Sequence, residues 1–275
     1  MNILITGDKG FIGKHLTRSV IKDGHQVLGW DTSDGKNIND ITSKDLNRID
    51  IIVHLAGIAN VHESQRNPDL YYKVNVEGTR KVFRAAAEVP GGVPVIYASS
   101  SCAKEWWRSA YGTTKKMTEV MGEEINRSVA LRFCNVYGEG QPSSMLFPRM
   151  FDGKMSHAVR DHSRDFIHVD DVISAIKIFL YSDDFTKFEK VYDVGTGISH
   201  SIIDLVKQYG FKVTEKIGDM CEMKDNTANI DELTKLGWAP KSDLHKYLKG
   251  KLDGDTKFKK YIQRLLPKKL RFWRN

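Results

Sequence analysis

The sequence predicts an α/β fold, a doubly wound parallel sheet with a smaller C-terminal lobe, and three observations predict it. Short apolar runs rich in β-branched residues, such as Ile51-Ile52-Val53 and Val95-Ile96-Tyr97, recur along the first half of the chain. Between them lie segments whose apolar residues fall at helical spacing, the order expected when crossover helices join parallel strands. The first run also stops at a turn with three glycines, Gly7-Asp8-Lys9-Gly10-Phe11-Ile12-Gly13, and a helical pattern follows at once.

Taken in order, Met1 to Thr6 reads as a buried strand. Gly7 allows the tight turn, Gly10 lets backbone N–H groups approach a pyrophosphate, and Gly13 lets the helix pack on the strand. Phe11 and Ile12 begin that helix, whose N-terminus favours an anion. The next run, Gln26 to Trp30, ends in Asp31, 18 residues past Gly13, where a dinucleotide fold places the acid that hydrogen-bonds the adenosine ribose. A carboxylate there repels a 2′-phosphate, so the expected cofactor is NAD rather than NADP. The plainer reading of Asp31 is that it starts a turn with Thr32, Ser33, Asp34 and Gly35.

Residues 36 to 44 show no sustained apolar run or alternation, so no full strand is predicted there. Ile49 to Gly57 is the next parallel strand. Pro68 opens a helix that carries Leu70, Val74, Val76, Val82, Phe83 and Ala86. Pro94 to Ala98 is a further strand and runs into Ser99-Ser100-Ser101-Cys102. A helix then starts near Tyr111-Gly112-Thr113-Thr114-Lys115, and its Tyr and Lys, four apart, share a face. Val129 to Gly138 reads as one strand that leaves the sheet in a Gly/Pro/Ser-rich loop. The sheet is expected to regain the chain at Asp165 to Val172, a helix to Tyr181 and a strand from Val191 to Gly195. The expected units are an NAD-binding Rossmann domain over 1–142 and about 165–197, a substrate lobe over 143–164 and 198–250, and a basic tail over 251–275.

A chain of 275 residues, 40% apolar, can bury a substantial core. No run approaches the roughly 20 apolar residues of a membrane span, and Met1 leads straight into a strand, so a cytoplasmic location is expected. Cys102, Cys134 and Cys221 lack metal or disulfide spacing, and no metal is expected. The net charge of +7 is local: residues 241 to 275 carry +9, which leaves the rest slightly acidic. That argues against nucleic acid as the main partner. The tail interleaves Lys257, Lys260, Arg264 and Lys268 with Phe258, Tyr261, Leu265 and Leu266, the composition of a helix docked by its apolar face or of a segment that contacts an anionic membrane surface.

Oxidising a carbinol carbon needs a base for the hydroxyl proton. A phenol, with an ordinary pKa near 10, serves only if neighbouring positive charge favours phenolate. Tyr111 with Lys115 one turn away meets that need, and a hydroxyl from Ser100 or Ser101 on the facing strand end can hold the same substrate oxygen. Tyr247 and Lys251 repeat the spacing but lie in the basic region, away from any strand that ends in serines.

Together, Gly7-x-x-Gly10-Phe11-Ile12-Gly13, Asp31, His54-Leu55-Ala56-Gly57, the serine run, Tyr111/Lys115, Asn135-Val136-Tyr137-Gly138 and Arg164-Asp165-Phe166-Ile167-His168-Val169-Asp170-Asp171 resemble the extended short-chain dehydrogenase/reductase family. The likeness is to its NAD-dependent nucleotide-sugar epimerases and dehydratases, and most to UDP-hexose 4-epimerases. It implies Tyr111 as acid-base, Lys115 as its partner and Ser101 as the polarising hydroxyl, with Ser100 as substitute. It implies an adenine contact at Asp40 and Ile41, cofactor lining by Leu55 and Ala56, and substrate diphosphate binding by Asn135 and Arg164. Lys216, ahead of Gly218-Asp219, stands where the family has a second arginine, and keeps the charge without the forked geometry. It also implies dimerisation through two helices that include the tyrosine helix.

Departures narrow the reaction. Cys102-Ala103 stands where dehydratases carry Asp-Glu, and Met145 where GDP-fucose synthases carry a partner histidine. The expectation is therefore 4-epimerisation of a nucleotide sugar. The alternatives are reduction of a 4-keto sugar and a non-catalytic NAD-binding protein with an interaction tail. Only nine residues separate Ser101 from Tyr111, fewer than usual in these epimerases.

Overall fold

The computed structural model describes residues 1–254. The strands are β1 (Asn2–Thr6), β2 (Gln26–Trp30), β3 (Ile51–His54), β4 (Val95–Ser100), β5 (Ser128–Phe133), β6 (Asn135–Tyr137), β7 (His157–Val159), β8 (Ser163–His168), β9 (Val191–Val194), β10 (Ser199–Ser201) and β11 (Thr214–Lys216). The helices are α1 (Phe11–Lys22), α2 (Val61–Arg66), α3 (Pro68–Tyr71), α4 (Gly78–Glu88), α5 (Ala110–Glu123), α6 (Leu146–Phe151), α7 (Val169–Leu180), α8 (Ile202–Gln208), α9 (Asp231–Lys235) and α10 (Leu244–Gly254).

Six strands form one parallel sheet in the order β2-β1-β3-β4-β5-β9. Side chains alternate across a strand, and both faces of this sheet are covered. Ile3 and Ile5 pack with Leu16 and Val20 of α1 and Val172, Ile176 and Phe179 of α7, whereas Leu4 and Ile52 pack with Val82, Phe83 and Ala86 of α4. Two-sided burial is why the strands read as continuous apolar runs. Outside this sheet, β10, β8 and β6 form a three-stranded sheet and β11 pairs with β7. Tyr137, Phe147, Met150, Phe166, Ile203 and Leu248 build a second core there with α6, α8 and α10.

The structure refines three expectations and agrees with a fourth, the absence of a strand over residues 36–44. The single strand expected over Val129–Gly138 is two, β5 in the large sheet and β6 in the small one, with Cys134 at the crossover. The return of the chain to the large sheet comes through α7 and β9, while β8 belongs to the small sheet. Residues 38–46 hold two 3₁₀ turns and no strand. The helix opened by Pro68 passes through a π-helical turn at Tyr72–Glu77 before α4, and that turn carries the buried Asn75. Asn75 donates from Nδ2 to the Ile58 carbonyl (3.0 Å) and accepts the Ile58 N–H (2.9 Å), which fixes the loop after β3.

One buried ion pair ties α5 to the sheet. Glu119 has no solvent exposure. Arg132 of β5 grips it bidentately, from Nε and NH2, both at 2.7 Å, and Ser99 of β4 donates to it at 2.6 Å. Removing one partner of such a pair leaves a buried charge uncompensated. Glu119→Ala is expected to cost about 3–5 kcal/mol of unfolding free energy, measured by urea denaturation; a cost below about 1 kcal/mol would show that α5 is held by packing alone.

Candidate active site

A cleft of about 480 Å³ opens beyond the carboxyl ends of β1, β3, β4 and β5, where open α/β sheets bind ligands. One wall is the glycine turn. Gly7 has φ +72°, and a Cβ on Gly13 would fall 2.0 Å from the Gly7 carbonyl oxygen, so both positions require glycine. Gly10 caps α1 with no side-chain hydrogen bond, and the first turn of that helix holds no acid. The leading N–H groups of α1 are thus left for an anion beside Gly7, Gly10, Phe11, Ile12 and Gly13, all of which line the cleft. This backbone cradle fits the diphosphate of a dinucleotide.

Asp31 follows β2 and accepts the Ser33 N–H (2.9 Å), so it caps the Thr32–Asp34 turn. Burial works to raise its pKa, but hydrogen bonds from Ser33 and Lys9 and the Lys9 ammonium outweigh it, and the carboxyl is held below its ordinary range. Asp40 is exposed, Ile41 lies in the core beside Leu4 and Trp30, and Ala56 is half-buried with its N–H on Thr6 Oγ1 (3.2 Å). None of these four lines the cleft, whereas Leu55 does.

The opposite wall is α5. Ser109 caps it by accepting the Gly112 N–H (3.0 Å), and Gln65 and Ser64 of α2 accept the Ala110 and Tyr111 N–H groups at 2.9 and 3.0 Å. These bonds aim Tyr111 into the cleft, where its ring meets Tyr71 edge-on. Lys115 donates to the Ala98 carbonyl at 2.7 Å, with its nitrogen 6.0 Å from the Tyr111 ring centre. Burial pushes Lys115 down to about 8, partly opposed by Glu119. Burial pushes the Tyr111 phenol up, as does Cys102, while a hydrogen bond with Ser100 acts the other way. Without added positive charge, then, Tyr111 stays protonated.

Ser100, Ser101, Asn135 and Arg164 complete the cleft. Ser100 also accepts the Cys102 N–H at 3.2 Å. Asn226, which carried no sequence signal, donates from Nδ2 to Ser101 Oγ (3.2 Å) and Asn135 Oδ1 (2.8 Å), while its own oxygen accepts the Asp165 N–H (2.8 Å). Arg164 is not paired with Asp161 or Asp165. Its guanidinium donates to Glu222 (2.7 Å) and to the carbonyls of Ser163 and Met223, both at 2.8 Å. Lys216 sits exposed on β11, away from the cleft lining. Met145 does line it, His168 caps α7, and Tyr247 packs on Tyr137 and Phe151 in the second lobe.

A parallel sheet with an uncapped helix after a glycine turn, facing a buried tyrosine and lysine one turn apart, defines a dinucleotide-dependent α/β enzyme. The model of the NAD dependent epimerase/dehydratase family matches residues 3–195, and the chain belongs to that family, with NAD as its cofactor. Among curated relatives it is 26% identical to the dTDP-4-dehydro-6-deoxyglucose reductase of Escherichia coli, covering 86% of this chain and 92% of the relative. It is 27% identical to a putative UDP-glucose 4-epimerase of Methanocaldococcus jannaschii, covering 90% and 96%. In fold it is similar to the Thermotoga maritima UDP-glucose 4-epimerase solved with UDP-glucose, at a TM-score of 0.80, 24% identity, and coverage of 97% and 100%.

The depressed pKa of Lys115 fixes the sign of a pH effect. Its ammonium is lost as pH rises through about 8, so an activity that needs that charge falls there. Stability moves the other way, because between about 8 and 10.5 the unfolded chain binds the proton and the folded one does not. The expected result is an alkaline limb in kcat/KM centred near 8 while the urea midpoint climbs over the same window. An activity flat to pH 10 would remove Lys115 from this role.

Proposed function

We propose that the protein catalyses 4-epimerisation of a nucleoside-diphosphate hexose. The observation that carries this reading is convergence: Tyr111, Lys115, Ser100 and Ser101 face one cleft with the glycine turn and the free end of α1. Bound NAD supplies the hydride acceptor and later the donor. Tyr111 takes the proton from the sugar hydroxyl as its carbon is oxidised and returns it when the hydride comes back to the opposite face. The Lys115 ammonium lowers the cost of the phenolate, and Ser101, steadied by Asn226, holds the reacting oxygen with Ser100 beside it.

In this reading Gly7, Gly10, Phe11, Ile12 and Gly13 hold the cofactor diphosphate, with Asp31 on the ribose, Asp40 and Ile41 at the adenine, and Leu55 and Ala56 along the nicotinamide side. Asn135 and Arg164 take the substrate diphosphate, which replaces Glu222 as the partner of the guanidinium. Lys216 adds only long-range charge. The domain division is that of the sequence reading: residues 1–142 and about 165–197 bind NAD, and 143–164 with 198–250 bind the nucleotide sugar. The reading also places the protein in the cytoplasm; among the described residues no helix is long and apolar enough to cross a membrane. The charge of residues 251–275 fits contact with an anionic membrane surface, a role that falls mostly outside the described residues.

A homodimer belongs to the same proposal. Val76, Trp106, Met117, Val120 and Met121 line an apolar hollow along α5, and Val120 is 52% exposed. Val120→Glu should shift the protein from dimer to monomer in sedimentation velocity; an unchanged species would place the interface elsewhere.

Reduction of a 4-keto sugar is the second reading, favoured by the likeness to the Escherichia coli reductase. Incubation with NAD and UDP-glucose, UDP-N-acetylglucosamine or related sugars separates the two. Epimerisation is expected to proceed with no net nicotinamide absorbance change and to drop at least about a hundredfold in Tyr111→Phe. Stoichiometric consumption of NADH with a keto sugar would favour the reductase. Thermal stabilisation by NAD without turnover of any sugar would leave a non-catalytic binding protein.

A further inference from the structure

Beside the mouth of the cleft, three side chains from two distant segments meet at one point. His62 of α2 and the pair Asp219 and Cys221 place a ring nitrogen, a carboxylate oxygen and a sulfur all within 4.8 Å of one another. His62 Nδ1 lies 3.6 Å from Asp219 Oδ2 and 3.6 Å from Cys221 Sγ. A tetrahedral zinc-type ion, with bonds of about 2.0–2.2 Å to N and O and about 2.3 Å to S, holds its ligand atoms roughly 3.3–3.6 Å apart. The two separations from His62 match that spacing, and the Asp219 oxygen and Cys221 sulfur lie within 4.8 Å of each other.

The other ring nitrogen of His62 strengthens the case. Nε2 lies 3.1 Å from Glu222 Oε1. A metal-bound histidine characteristically gives its second N–H to a carboxylate, which fixes ring orientation and tautomer. Here the ring is already presented with Nδ1 toward the sulfur and the Asp219 oxygen and Nε2 toward Glu222. We propose that His62, Asp219 and the Cys221 thiolate bind a divalent d-block cation, zinc by ligand type, with Glu222 as the supporting carboxylate and a fourth position open to water.

Such an ion would staple α2 to the strap that carries Glu222 and Met223 into the cleft, adjacent residues of the two segments being Val61 and Glu222 on the cleft wall. None of the three ligands belongs to the glycine turn or to the Tyr111 machinery, and Glu222, which also pairs with Arg164, is the one link to the proposed reaction, so the metal test is read by binding and not by turnover. Its ligands are 157 and 159 residues apart in sequence, which is why cysteine spacing did not disclose them.

The test is cobalt titration of the full-length, reduced protein freed of any affinity tag. A near-ultraviolet thiolate-to-cobalt band should saturate at one equivalent and disappear when Zn²⁺ displaces the Co²⁺. Cys221→Ser should abolish the band, Cys102→Ser should leave it, and Glu222→Ala should weaken cobalt binding by about ten- to a hundredfold. Zn²⁺ should raise the melting temperature of the parent chain and not that of His62→Ala, a substitution at a half-exposed surface position. Absence of a thiolate band, or a band that survives Cys221→Ser, would mean a hydrogen-bonded cluster only and would overturn the proposal.

Discussion

The arrangement depends on how firmly α5 is pinned across the end of the sheet. A helix that presents a phenol to a ligand must resist rotation, since one residue of slip turns a side chain by about 100°. Here three contacts with the sheet and α2 hold it in place, and a cap closes its first turn. Glu119 reaches Arg132 and Ser99 in the sheet, Lys115 reaches the Ala98 carbonyl, and the first turn is held by Ser109 and by α2. The buried charge at Glu119 is costly to desolvate, but it is met by a forked guanidinium and a hydroxyl. What the pair supplies is orientation.

The burial that comes with this placement explains the electrostatics. Tyr111 and Lys115 are both buried, and burial alone drives each toward its neutral form, the phenol up and the amine down to about 8. At neutral pH the amine therefore keeps its proton with little to spare. In the proposed reaction, positive charge brought close to the phenol is what would make it a base. At the other end, the Arg164 guanidinium is paired with the Glu222 carboxylate.

Much of this was legible in the sequence, and the limits have physical causes. The glycine turn, the serines at the end of β4 and the Tyr111/Lys115 pair are local patterns, with spacings that report a turn, a strand end and one helix face. The two-strand nature of Val129–Gly138 was hidden because β5 and β6 are both buried and only Cys134 parts them. Asn226 and Glu222, the partner of Arg164, could not be read, because they lie far along the chain and reach the cleft only through the lobe's tertiary path. Asp31 shows a different limit: its turn-capping role and a ribose contact use the same carboxylate, so sequence supports both at once.

The central claim is that the Tyr111 oxygen lies where it can touch a reacting sugar hydroxyl beside the cofactor. A crystal structure with NAD and a UDP-hexose bound measures this most directly. The Tyr111 oxygen should lie within about 2.6–3.2 Å of the sugar O4, with Ser100 or Ser101 on the same oxygen. A sugar bound with its O4 out of reach of Tyr111, or a diphosphate lodged away from Asn135 and Arg164, would contradict it.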